Sequence, residues 1–546
     1  MHTIFLSVWT FLLLCNESIA SPRIDPLVET KVGLIRGLSA SDGDYSMFLG
    51  IPFGVVNESN PFGPSTPYPD FEETFEAYYD SGMCPQTQFG DIVGSLDCLQ
   101  LNIYVPKSAS SQNRVPVLVW IHGGGFSGGS SNHYGPKFLV RHDIILVTIN
   151  YRLGPYGFMC LGIPEVPGNQ GLKDQVLALR WINDNIHSFG GDVNKITLMG
   201  ESAGAMSIDL HLHSAQDRLF RNAILQSGVT SLPGLVRLPR PELSLQLAEK
   251  LGFVTEDVLQ SLTFLATIDS HLVIAAASYM DFGSFFPCVE EKFDNIERYI
   301  YDYPVNTGVP NVASMPVLIG FNDKEGLGQY ANKNSEYFQI HGDLFANHLN
   351  NGFDFDDDKL NEMETLVRHF YLGDEKISED VKLAIIDMVS DFCFNHPIQR
   401  IIAKYLENGA NNIYHYVFSY NGGRNSMSGT SNRTIEGASH GDELGYLFDL
   451  SQLQEAPTPE DQLVIDGMTT MWANFVKYSN PTPQVTELLP VRWNPIVKSS
   501  PYYYINIGSE LKLEQRPFHN RMAFWDLFYK LNENYLGGFM TNMQYC

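Results

Sequence analysis

Positive charge is scarce in this chain: 35 lysines and arginines face 62 aspartates and glutamates, a formal net charge of −27 over 546 residues. A surface of that sign repels polyanions and argues against nucleic-acid partners and anionic membranes. Apolar runs of membrane length are missing too. The run at 4–14 is shorter than the roughly 20 residues a spanning helix needs. It is followed by Ser18-Ile19-Ala20, with small residues at both ends as a signal peptidase prefers. We expect residues 1–20 to be a cleaved signal peptide, residues 21–546 one domain, and the product secreted. The end at 537–546, GGFMTNMQYC, lacks the apolar tail of a lipid-anchor signal, so no membrane anchor is expected. Repeats, low-complexity tracts and domain-splitting linkers are absent, as is the P-loop lysine.

Cysteine is sparse, with seven in all. Cys15 falls in the leader, leaving Cys84, Cys98, Cys160, Cys288, Cys393 and Cys546. Cys84 and Cys98 lie closest and could close a small loop; the other four stay open as pairs or buried thiols. The sequons at Asn57 and Asn432 are expected glycosylation sites on a secretory route.

What the chain does have is apolar residues, 44% of the total, enough for a large core. The runs 115–121 and 144–149 read as buried strands. Leu172, Val176, Leu179, Ile182 and Ile186 fall at spacings of three and four, predicting a helix over 171–189. Further strands are predicted at 195–199, 223–225, 316–320 and 414–418. Strand–helix alternation in this order predicts an α/β fold with a mostly parallel central sheet and helices on both faces. The less regular stretches 229–315 and 330–400 are expected to form a helical lid or side region.

Gly200-Glu201-Ser202-Ala203-Gly204 sits between a predicted strand and a predicted helix. A turn that sharp thrusts its serine outward and leaves room only for hydrogen side chains at its flanks. A serine hydroxyl is a weak nucleophile and needs a base, an orienting acid and N–H donors for the oxyanion. His122-Gly123-Gly124-Gly125-Phe126 directly follows the strand ending at Ile121. The bare amides of Gly124 and Gly125, with that of Ala203, are candidate donors; the alternatives are a glycine hinge or a phosphate turn. After the strand at 316–320, Glu325 is a candidate acid and Asp323 its rival. His440, between Ser439 and Gly441, is the candidate base. Serine, acid and histidine then stand in the order that this chemistry takes on such sheets.

These residues resemble the type-B carboxylesterase family, the cholinesterase-like branch of the α/β-hydrolases. The likeness runs from Gly50-Ile51-Pro52-Phe53 to Trp472-Ala473-Asn474-Phe475 and includes DCLQLNIYVP at 97–106, HGGGF at 122–126, NYRLGPYGF at 150–158 and GNQGLKDQ at 168–175. FGGDVNKITLMGESAG at 189–204 is the most specific stretch. The resemblance implies an α/β-hydrolase with helical insertions over the active site, Ser202 as nucleophile, Glu325 as acid and His440 as base. It implies an oxyanion hole of Gly124, Gly125 and Ala203, a Cys84–Cys98 bridge and an apolar gorge, with no metal and no cofactor. Glu201 fits the acidic residue usual before the serine, and Ser227 matches a serine that supports the acid, with a capped strand end as its alternative. Two positions depart from the family. Leu96 stands where a glutamate is usual, and no arginine occurs between Phe53 and Phe71. In the family those two form an ion pair; losing both together avoids a lone buried charge, and the loop at 54–70 is expected to take its own path.

The resulting expectation is a secreted serine carboxylesterase acting on small to medium lipophilic esters, general, detoxifying, or degrading odorant or hormone esters. A juvenile-hormone-type esterase is one alternative; those often carry glutamine before the serine, against which Glu201 counts. A catalytically inactive adhesion or binding protein is the other, against which the complete set of site residues counts.

Overall fold

The computed structural model describes residues 26–536 except 215–217, 282, 426–434, 454 and 500–501. The leader, Asn432 and Cys546 lie outside the described residues. Its centre is a sheet of 11 strands. In chain order these are β1 (Leu38–Ser39), β2 (Tyr45–Pro52), β3 (Gln100–Pro106), β4 (Val115–Ile121), β5 (Ile145–Ile149), β6 (Gly191–Glu201), β7 (Asn222–Gln226), β8 (Val317–Asn322), β9 (Ile413–Phe418), β10 (Tyr503–Ile507) and β11 (Leu511–Gln515). In space they run β11-β10-β9-β8-β7-β6-β4-β5-β3-β2-β1. From β10 across to β5 every pairing is parallel. Antiparallel strands close both edges.

Both faces of the parallel part are covered, which explains why its strands read as unbroken apolar runs. Along β4, Val117, Val119 and Ile121 join one core cluster, while Leu118 and Trp120 join the other. This is the two-residue alternation of a strand with no wet face. The predicted helix at 171–189 is α1 (Gln170–Asn185) followed by a 3₁₀ turn, Ile186–Phe189. The helix α2 (Ala203–His213) leaves directly from the end of β6.

The stretches 229–315 and 330–400 carry short helices, among them Glu242–Lys250, Val258–Ala266 and Asp357–Leu372. The second stretch ends in α3 (Lys382–Ser390), a π-helical turn (Asp391–Asn395) and α4 (His396–Glu407), three pieces of one continuous rod. Near the C-terminus, α5 (Pro459–Tyr478) and α6 (His519–Leu531) cover the sheet and the insertion.

Two disulfides join described cysteines, Cys84–Cys98 and Cys160–Cys288; Cys393 is disulfide-bonded as well. The loop at 54–70 closes on itself through pairing of Gly54–Val55 with Thr66–Pro67. Fully buried Arg152 holds that loop, donating to the carbonyls of Pro61 at 3.1 Å and Gly63 at 2.6 Å. Its charge is met by Asp174 at 2.7 Å. Leu96 packs against the apolar core, so this region is held by an ion pair built from other residues.

Candidate active site

Ser202 has φ 55° and ψ −125°, a left-handed conformation that costs a non-glycine residue on the order of 1–3 kcal/mol. Its surroundings fix it there. The Ser202 N–H donates to Gln226 O on β7 at 2.8 Å, and its carbonyl accepts from Met206 N at 2.9 Å. The turn is crowded enough to demand glycine: a Cβ on Gly204 would lie 2.0 Å from Ile121 O. The requirement for small flanking residues, inferred from the pattern alone, therefore has a definite steric cause.

The glycine loop after β4 packs on this turn. A Cβ on Gly123 would sit 3.0 Å from Ser202 Cβ and 2.7 Å from Glu201 Oε2. Gly124 has φ +107°, which L side chains rarely adopt. Buried His122 steadies the loop, its Nδ1 lying 2.8 Å from Gly123 O and its ring stacked on Tyr151. Burial pushes the His122 imidazole down to about 4, so it is neutral. The N–H groups of Gly124, Gly125 and Ala203 donate to no acceptor among the described residues. For Ala203 this follows from its place in the first turn of α2, where the chain supplies no partner.

His440 brings two more strands into the site. Its Nδ1 lies 2.7 Å from Glu325 Oε2 and its backbone N–H donates to Glu325 O at 3.1 Å. The carboxylate of Glu325, buried beyond β8, also accepts from Asn322 N at 2.8 Å and from Ser227 Oγ at 2.6 Å. Asp323, the rival acid, accepts instead from Ala438 N at 2.8 Å. The other ring nitrogen, Nε2, lies 3.1 Å from Glu201 Oε1. Among the described residues it makes no hydrogen bond with the hydroxyl of Ser202, the next residue along. Unliganded sites often show this bond long or misaligned. Phe394, in the π-helical turn, packs on the imidazole with ring centroids 4.6 Å apart.

A buried carboxylate not anticipated from the sequence stands behind these residues. Glu443 Oε1 accepts from Gln226 Nε2 at 2.9 Å and Oε2 from Asn322 Nδ2 at 2.6 Å. Gln226 and Asn322 end β7 and β8. A polar residue closing an apolar run, twice at strand ends, was the available signal. Glu201, Glu325 and Glu443 are all buried. Burial raises Glu201, with His440 opposing and Glu325 adding to the rise. Burial also raises Glu443, and the other two carboxylates push it further. Burial disfavours the imidazolium of His440, but Glu201 and Glu325 outweigh it and hold the ring at about 10. The arrangement can orient an imidazole, hold a proton beside a serine and present unoccupied N–H groups to an anion. No cluster of three or more His, Cys, Asp or Glu side chains suited to a metal occurs among the described residues.

Asn57 is exposed. No helix among the described residues is long and apolar enough to cross a membrane.

Comparison with known proteins gives concordant matches. The profile of the Carboxylesterase family covers residues 24–525. The chain is 29% identical to "Carboxylic ester hydrolase" of Bombus ignitus, over 94% of this chain and 96% of that protein. It is 30% identical to "Juvenile hormone esterase" of Tribolium castaneum, over 96% of each. Among solved structures, juvenile hormone esterase from Manduca sexta, with OTFP covalently attached, superposes with a TM-score of 0.80 at 27% identity. The match covers 93% of this chain and all of that one.

Proposed function

The chain belongs to the carboxylesterase family, and on that premise we propose that Ser202 is its nucleophile, His440 its general base and Glu325 the acid that orients the base. The observation that carries this is the pairing of Glu325 with His440 beside a strained serine turn and a loop of unoccupied amides. Glu325 holds Nδ1, which leaves Nε2 as the nitrogen that takes the Ser202 proton. Attack on the ester carbonyl places negative charge on its oxygen, and Gly124, Gly125 and Ala203 donate to it. One such donor is worth roughly 3–4 kcal/mol in the transition state. His440 then protonates the departing alcohol and activates the water that clears the acyl-enzyme. Ser227 supports the acid through its bond to Glu325.

The substrates we propose are small to medium lipophilic carboxylic esters. The likeness to juvenile hormone esterases keeps a hormone ester within that range. We further propose that residues 1–20 are a cleaved leader, that the mature protein is secreted and that exposed Asn57 is glycosylated. The two disulfides support an oxidising route. Replacing Ser202→Ala tests the core of this reading. Turnover of a short-chain aryl ester is expected to fall by at least about 10⁴-fold, and a fluorophosphonate probe to label the wild type at Ser202 but not the variant. Retained turnover, or labelling at another residue, would overturn the assignment.

A further inference from the structure

A cavity of about 850 Å³, with none of the proposed reacting residues in its wall, opens between α4, α6, the segment after β7 and the loop at 303–308. That size suits an organic ligand, for which sites run roughly 300–1,000 Å³. Its wall concentrates what the chain as a whole has little of. Arg400 on α4 lies over the ring of Tyr529 at 4.3 Å, and Arg516, just past β11, over the ring of Tyr502 at 4.8 Å. Neither guanidinium has a carboxylate within 4.0 Å among the described residues. Two acids share the wall, Asp526 and Glu407. Asp526 is held by His396 Nε2 at 3.1 Å, and both arginines also lower its carboxyl; Lys404 is turned to the carbonyls of Pro304 and Val305. Thr230, 7% exposed, lines the same space, and its buried Oγ1 has no hydrogen-bond partner among the described residues.

Arg400, Arg516 and Lys404 outnumber Asp526 and Glu407 in this wall, so in a chain with a large excess of acids the hollow keeps a surplus of positive charge that one further anion would meet. A guanidinium meets a carboxylate with two parallel hydrogen bonds. The tyrosine rings beneath the arginines, with Leu232 and Leu235 in the same wall, provide apolar surface for the rest of the ligand. We propose that this cleft binds an amphiphilic carboxylate: Arg400 and Arg516 take the anionic head, Thr230 supplies a further hydroxyl, and the apolar body lies along Tyr502, Tyr529 and the leucines. This site is separate from the ester chemistry and does not rest on it.

The test is equilibrium dialysis of radiolabelled laurate against the full-length enzyme after fluorophosphonate treatment, with the adduct counted by mass spectrometry. Blocking keeps acid at the reacting serine out of the signal. Failure to label counts against Ser202 alone, and the unblocked enzyme is then dialysed. Saturable binding of one laurate per chain is expected, weakened at least about tenfold in the Arg400→Gln, Arg516→Gln double variant with its near-ultraviolet circular dichroism unchanged. Dodecanol and inorganic phosphate should compete poorly. No saturable binding, equal competition by dodecanol or phosphate, or undiminished affinity in the folded double variant would each overturn the proposal. Should the double variant not fold, the comparison of laurate with dodecanol and phosphate on the wild type decides.

Discussion

At the scale of single residues, the site turns on how one proton is shared. Nε2 of His440 faces Glu201 at 3.1 Å, and a base that holds its proton too firmly cannot accept one from serine. The two glutamates favour the imidazolium more than burial disfavours it, so the ring is held above its ordinary 6.5. Only the neutral ring is a base, so the acid limb of kcat/KM should lie above 6.5 in the wild type. Glu201→Gln removes one of the two stabilising charges and lowers the imidazole pKa. The limb should then move to lower pH, by at least about one unit. A full pH profile of both proteins with a neutral aryl ester checks this. An unmoved limb would mean that Glu201 does not act on the ring.

At the scale of elements, the insertion and the loops are fastened to the sheet by a few buried polar links. The Arg152–Asp174 pair, with both side chains at 0% exposure, ties α1 to the loop at 54–70. Asp174→Ala leaves a buried guanidinium without its carboxylate and should cost about 3–5 kcal/mol. Replacing both by leucine should cost less than the single change, as urea unfolding of the two variants would show. Elements of this kind differ in how far sequence reveals them. Strands β4 and β5 were legible to within a residue because both their faces are buried and the apolar run has sharp ends. Strand β6 extends on both sides of the run at 195–199: of its first part, Gly191–Asn194, only Gly191 is buried, which breaks the pattern. Among the antiparallel strands, β1 has only two residues and β11 is half-wet; β2 and β3, though mostly buried, were not read from the sequence either. Around the site, the serine turn and the glycine loop could be read because each is a local pattern, whereas His440 was singled out by its place in the order serine, acid, histidine. Glu443 could not be given a place, since Gln226 and Asn322 reach it only when two other strands lie side by side. Nor does spacing along the chain show which ring nitrogen faces Glu201.

At the scale of the whole molecule, two cross-links of different span join described cysteines. Cys84–Cys98 closes a separation of 14 residues and Cys160–Cys288 one of 128. Chain entropy makes the longer closure worth about 5 kcal/mol against about 3 kcal/mol. Cys160→Ser with Cys288→Ser should therefore lower the urea midpoint more than Cys84→Ser with Cys98→Ser. The reverse order would show that native strain or residual structure in the unfolded chain dominates. Strand order carries a last consequence. The serine follows β6, the acid β8 and the base β9, and β9 gains its outer neighbour only when β10, at Tyr503–Ile507, has been made. A nascent polypeptide thus carries Ser202 early but gains His440 only after most of the sheet has been synthesised, so a half-made chain lacks the assembled cluster altogether.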